Sequence, residues 1–142
     1  MEDKGCILPS SQSICRIVTQ GIWDTVLKEK TKIPMTELDI QDGFVHLSTI
    51  EQVLETANRY FTVEQNPKIL VLKEKNLQDA LKWEVVPHRN HQVFPHLYRQ
   101  LQFEDVLGVW DVRYQSQFQN CFVLDTYRKI IESSSKVVKS TK

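Results

Sequence analysis

The sequence predicts an α+β domain of about six strands and two or three helices, and three observations support this. Short β-type runs alternate with segments of helical spacing along most of the chain. The 142 residues are enough for one sizeable hydrophobic core. A composition of 41% apolar and 25% charged residues is that of an ordinary globular protein and excludes wholesale disorder.

Both ends read as flexible: residues 1–12 are polar with Pro9 and a Ser10-Ser11-Gln12 run, and 133–142 is a Ser/Lys tail. The expected folded unit is 13–132, a single domain without repeats. Ile14 to Val18 is a short β run, and Gly21 to Lys30 places Ile22, Trp23, Val26 and Leu27 at helical spacing, with Pro34 ending that helix. Gly43 to Ser48 reads as a strand with Phe44, His46 and Ser48 on one face and Val45 and Leu47 on the other. Ser48-Thr49-Ile50-Glu51 has the S/T-x-x-E form of a capping box, so a helix should start there and bury Val53, Leu54, Ala57 and Phe61.

After Pro67, the run Lys68 to Leu72 is the best candidate for a buried strand. Leu77 to Leu81 is a brief helical turn, Trp83 to Val86 a strand, 87–92 a polar, His-rich loop, and Phe94 to Tyr98 an extended segment stiffened by Pro95. Leu107 to Tyr114 and Phe118 to Leu124 form a further strand pair, and Thr126 to Glu132 is expected as a terminal helix.

Several function classes are excluded early. Eighteen Lys and Arg balance eighteen Asp and Glu, which argues against a broad basic nucleic-acid surface. No run approaches the roughly 18 apolar residues of a membrane span, so no membrane association is expected. The four glycines form no phosphate-binding or dinucleotide-binding fingerprint. Met1 to Cys6 lacks the pattern of a signal peptide, and Cys6, Cys15 and Cys121 have no C-x-x-C spacing. They read as reduced thiols, and the expected location is cytoplasmic, or else nuclear.

The strand-to-helix junction at 43–52 is the most informative segment. His46, Ser48 and Thr49 beside a helix start suit an anion, a ribose or a polar head, although on pattern alone helix capping by Ser48 and Thr49, with His46 a satisfied core histidine, is the favoured explanation. His88, His91 and His96 lie close together, but His88-x-x-His91 falls in a loop with no cysteine nearby, so no metal is expected. Nothing marks Cys15 as a nucleophile. Strand alternation sends Trp83 and Glu84 to opposite faces, and ordinary packing would bury Trp83 and leave Glu84 in solvent. His96 and Tyr98 share a face of the stiffened segment, which is unusual for packing alone, and a site role and a packing role stand level there.

Asp42-Gly43-Phe44-Val45-His46-Leu47-Ser48-Thr49, followed by Glu51-Gln52-Val53 and Ala57-Asn58, resembles the hallmark run of the DUF952 family. Lys82-Trp83-Glu84 and Phe94-Pro95-His96-Leu97-Tyr98 resemble its two later motifs, and Ile14 to Trp23 its opening strand and helix. The similarity runs in order over about 14–115. The resemblance implies a split, curved β-sheet like that of the ADP-ribosyltransferases, around a cleft that in relatives holds NAD or an ADP-ribosylated intermediate. Carried over by motif, the catalytic residues would be Arg16, His46 and His96. Ser48, Thr49, Tyr98, Glu84 and Trp83 would line the cofactor site.

Such an Arg/His/His set is closer to the tRNA 2′-phosphotransferases than to the poly-ADP-ribose polymerases. It implies an NAD- or ADP-ribose-dependent transferase, with a nucleotide-type small molecule or a 2′-phosphorylated RNA as partner. Arg16 would hold a phosphate, His46 and Ser48 the ribose hydroxyls, Tyr98 would stack on nicotinamide, and Glu84 would orient the acceptor or support the developing cation. The other reading is a non-catalytic nucleotide- or protein-binding module on the same fold. The family usually has Tyr where Cys15 stands and Gly where Arg99 stands, so Arg99 is expected to narrow or recharge the cleft.

Overall fold

The run Ile69 to Leu72 is apolar without alternation because it ends up covered on both faces. In the computed structural model, which describes residues 13–116 and 120–130, Ile69 and Leu70 are each 0% exposed although they point to opposite sides. This strand, β4 (Pro67–Leu72), is the centre of a five-stranded antiparallel sheet. Its neighbours are β1 (Ile14–Thr19) and β7 (Val106–Gln115), flanked by β3 (Ser48–Thr49) and β8 (Cys121–Lys129), in the order β3-β1-β4-β7-β8. A second antiparallel sheet of three strands has the order β2-β6-β5, from β2 (Val45–His46), β6 (Gln92–Leu97) and β5 (Leu81–Val86). The chain is thus α+β, with eight strands among the described residues.

One face of the larger sheet, with Cys15, Ile69 and Val71, is closed by Val53 of helix α3 (Ile50–Tyr60). The other face buries Ile14, Val18, Leu70 and Val106 against Trp23 and Val26 of α1 (Gln20–Glu29) and Val45 and Leu97 of the smaller sheet. Arg16 lies two positions from both Ile14 and Val18 and shares their side of the strand, so its guanidinium is carried onto this second, buried face.

The expected continuous strand over 43–48 divides in two. Val45 and His46 pair with Leu97 and His96, whereas Ser48 and Thr49 pair with Cys15 and Ile14. Buried Leu47 marks the crossing, and its N–H donates to the Pro95 carbonyl at 3.2 Å. One short segment therefore stitches the two sheets together.

Other boundaries shift for local reasons. Helix α1 ends at Lys30, in the left-handed conformation (φ 54°), four residues before Pro34. The capping box of α3 lies one residue later than its sequence form suggests, with Thr49 and Gln52 exchanging the two hydrogen bonds. An unforeseen helix, α2 (Glu37–Asp42), opens on a second capping box between Thr36 and Asp39 and closes on left-handed Gly43 (φ 86°). The turn expected near 77–81 is helix α4 (Glu74–Leu77) with a 3₁₀ turn after it.

The helix expected over Thr126 to Glu132 is instead the end of β8 as far as Lys129, where pairing with β7 outweighs local spacing. Trp83 is 49% exposed, so the burial expected for it is reversed: Glu84 turns inward along the sheet and Trp83 outward. The segments 1–12 and 133–142, read as flexible, lie outside the described residues.

Candidate functional site

Between the two sheets lies a cavity of about 670 Å³ whose walls include Arg16, Asp39, Phe44, His46, Ser48, Thr56, Arg89, Phe94 and His96. The β2–β6 register sets His46 directly opposite His96, which brings their ring centroids to 5.8 Å. Phe44 fills the space between them. Its ring stacks on His96 at 4.0 Å and 20° and meets His46 at 4.6 Å.

On one side, Asp39 is the hub of a buried polar cluster. Its carboxylate accepts from Arg16 NH2 at 2.6 Å, from the His46 backbone N–H at 3.1 Å and from the Thr36 N–H at 2.9 Å. His46 Nδ1 lies 2.6 Å from Asp39 and Nε2 lies 2.8 Å from Asp42. A neutral imidazole donates to only one of these two carboxylates, whereas the doubly protonated ring donates to both. Burial by itself would raise the Asp39 pKa, but the bonds from His46, Arg16 and Thr36 outweigh it and hold the carboxyl well below the usual range. Arg16 also donates from NH1 to the His46 carbonyl at 2.8 Å. The guanidinium expected to clamp a phosphate is therefore already engaged, and it anchors His46 instead.

On the other side, His96 Nδ1 lies 2.7 Å from Glu84 Oε1, and the same oxygen accepts from the Tyr98 hydroxyl at 2.8 Å. The hydrogen bond from His96, and after it that from Tyr98, lowers the Glu84 pKa; Glu84 in turn raises that of Tyr98. An ionised carboxylate only accepts, so Nδ1 carries the hydrogen and Nε2 of a neutral ring presents its lone pair. The ring is 95% enclosed, being 5% exposed, and lines the cavity. A buried imidazole oriented by a carboxylate is the arrangement a general base or acid requires.

The eight residues singled out from the sequence fall into three groups. Arg16, His46, Ser48 and His96 line the cavity. Glu84 and Tyr98 stand behind His96 and orient it, so Tyr98 is not placed as the stacking partner of a ligand. Thr49 caps α3 and Trp83 faces outward, both away from the cavity walls. Arg99 is also elsewhere: its guanidinium binds Asp105 at 2.8 and 3.2 Å and the Asn76 carbonyl at 2.9 Å, so it neither narrows nor recharges the cleft.

The sequence matches the family described as "Protein of unknown function (DUF952)" over residues 17–109, more than half of its length. The chain belongs to the DUF952 family. Its fold is similar to the crystal structure of protein CC0527 from Caulobacter crescentus, with 31% sequence identity and a TM-score of 0.66. The match covers 78% of this chain and 93% of that one. The solution structure of the same protein gives 32% identity, a TM-score of 0.62, and coverage of 74% and 88%. No curated protein matches the sequence.

Within this DUF952 chain, Cys15 is 0% exposed, and burial pushes its thiol up to about 12. That thiol is no nucleophile at neutral pH. Among the cavity residues not singled out from the sequence are Asp39, Thr56 and Arg89. Thr36-x-x-Asp39 followed by Gly43 was a readable helix signal that would have located Asp39. Arg89 carried no such mark, since only the fold of the β5–β6 connection turns it inward. Among the described residues no group of three His, Cys, Asp or Glu side chains gathers where it could hold a metal ion.

Proposed function

We propose that the cavity between the sheets binds a nucleotide-type ligand of the NAD or ADP-ribose class, and that His96 is the acid–base group for transfer of its ADP-ribosyl part. The observation that carries this reading is the Tyr98–Glu84–His96 chain, which commits Nδ1 of a nearly enclosed, cavity-lining imidazole to Glu84 and so orients the ring. A volume of about 670 Å³ lies within the range usual for small-molecule and cofactor sites. Two antiparallel sheets flanking a cleft also agree with the ADP-ribosyltransferase-like arrangement that the resemblance implies.

In such a transfer the nicotinamide–ribose C–N bond breaks and nicotinamide leaves with the electron pair. The acceptor hydroxyl oxygen then forms the new bond to the ribose carbon and gives its proton to His96 Nε2. Phe44, stacked on His96, excludes water from the ring face, and Ser48 on the cavity wall would hydrogen-bond the ligand.

The test is a thermal-shift titration with NAD, ADP-ribose and a 2′-phosphorylated oligonucleotide, followed by turnover assays, on the wild type and His96→Gln. A ligand at about 100 times its dissociation constant adds about 2.7 kcal/mol of stability. The expected result is binding by one of the three, with turnover absent in the variant. The locking of Arg16 and His46 into the Asp39 cluster favours a second reading, a nucleotide-binding module without catalysis. That reading gives binding without turnover in the wild type. No binding of any of the three overturns both.

A further inference from the structure

Two arginines lie buried in the cavity wall, and they are neutralised very differently. Arg16 is 6% exposed and bonded to Asp39 at 2.6 Å. Arg89, from the turn between β5 and β6, is 5% exposed, yet the nearest carboxylate, half-exposed Glu55, is 3.8 Å away. That distance is too long for a hydrogen bond. A guanidinium cannot shed its charge in a protein, and a buried charge without a bonded partner is costly. Arg89 Nη2 donates to the Thr56 hydroxyl at 3.1 Å, while its Nε, like that of Arg16, has no hydrogen-bond partner.

The surroundings hold this cation in place without discharging it. Its guanidinium carbon lies 4.8 Å from the Phe94 ring centre and 5.8 Å from that of Tyr60, and both rings line the cavity. Ser48 reaches the same Thr56 hydroxyl at 3.4 Å, which adds a second rotatable O–H to this corner. Left-handed Asn90 and His91 fix the turn that aims Arg89 inward.

We infer that Arg89, with Thr56 and Ser48, forms the subsite for an oxyanion of the ligand, a phosphate or a carboxylate. This rests on the nucleotide reading above and deepens it by moving the anion-binding role from Arg16 to Arg89. The ligand's charged end then lies at the Phe94–Tyr60 corner and its reacting end at His96.

The test is an NMR titration of the ¹⁵N-labelled protein with inorganic phosphate and, separately, with acetate. It follows the Arg89 Nε–H resonance, assigned through its own side-chain carbons. The expected result is a saturable shift of that resonance with at least one anion, and the anion that binds identifies the ligand's charged group. Arg89→Met should weaken the binding at least about tenfold, the scale of one lost charge-assisted hydrogen bond. Arg113→Met, at an exposed arginine, should leave it unchanged.

No shift with either anion overturns the subsite, as does equal affinity in Arg89→Met. If Arg89→Met does not fold, the wild-type Nε–H shift decides by its presence or absence. Competition separates this inference from the reading beneath it. Phosphate bound at Arg89 but not displaced by ADP-ribose or NAD would keep the subsite and sink the nucleotide assignment.

Discussion

Asp39→Asn tests the buried cluster that holds the first half of the site. The substitution keeps the size of the side chain, removes its charge and turns one acceptor oxygen into a donor facing Arg16 or His46. Arg16 is then a buried cation without its counter-ion, since its only other side-chain hydrogen bond among the described residues goes to the His46 carbonyl. Breaking a buried ion pair from one side costs about 3–5 kcal/mol, a large part of the roughly 5–15 kcal/mol that a domain has in total. Urea unfolding followed by circular dichroism at pH 7 should show that loss. Adding Arg16→Met removes the stranded charge, so the double variant should lose less than the sum of the single ones, with a coupling of about 1–3 kcal/mol. The pH dependence follows from the direction of the Asp39 shift. A carboxyl held below its unfolded value of about 3.9 contributes fully above that pH and loses its contribution as pH falls from there towards the lower folded value. The wild type should therefore lose stability on acidification below about pH 4, and Asp39→Asn should lose less over the same window. A loss under about 1 kcal/mol at pH 7, or strict additivity in the double variant, would refute the role given to this cluster.

Three further outcomes are expected. Glu84→Gln removes the carboxylate that fixes the His96 tautomer; histidine-ring ¹⁵N spectra should then show a mixture of Nδ1–H and Nε2–H forms, with little change in thermal midpoint. Cys15, with its thiol pushed up to about 12, should resist iodoacetamide at pH 8 in the native protein and react in urea, as read by peptide mass spectrometry. A methyl group at Gly108 would overlap the Tyr127 ring, so Gly108→Ala should cost about 1–3 kcal/mol in urea unfolding, and adding Tyr127→Ala should recover part of it.

The parts of the fold that follow from local chemistry were legible in the sequence. The run 68–72 announced a buried strand, and the S/T-x-x-E form of Ser48 to Glu51 announced α3, one residue early. What depended on tertiary pairing was not. Residues 126–129 extend because β7 offers an unpaired edge, and 43–49 changes sheets at Leu47 although its alternation reads as one strand. Alternation still served the site, since Phe44, His46 and Ser48 all reach the cavity wall from opposite sides of that crossing. The pairing of His96 with Tyr98 was visible as a shared face, while their common carboxylate needed the β5–β6 register, which places Glu84 opposite Phe94 and so diagonal to His96 on the same face. Whether an arginine is engaged cannot be seen in one dimension. Arg16 lies 23 positions from Asp39 and Arg89 lies 33 from Thr56, and those distant partners make one a strut and leave the other without a hydrogen-bonded carboxylate.

The most direct measurement of the central claim is a histidine-ring NMR titration of the intact protein with ADP-ribose and NAD. The four rings are distributed so that position can be read from them: His46, His88 and His96 line the cavity, whereas His91 does not. Binding in the cleft should shift the His96 and His46 ring signals saturably, with the largest change at His96 Nε2, and leave His91 where it was. Unmoved His96 and His46 signals at millimolar concentrations of both ligands would contradict the account.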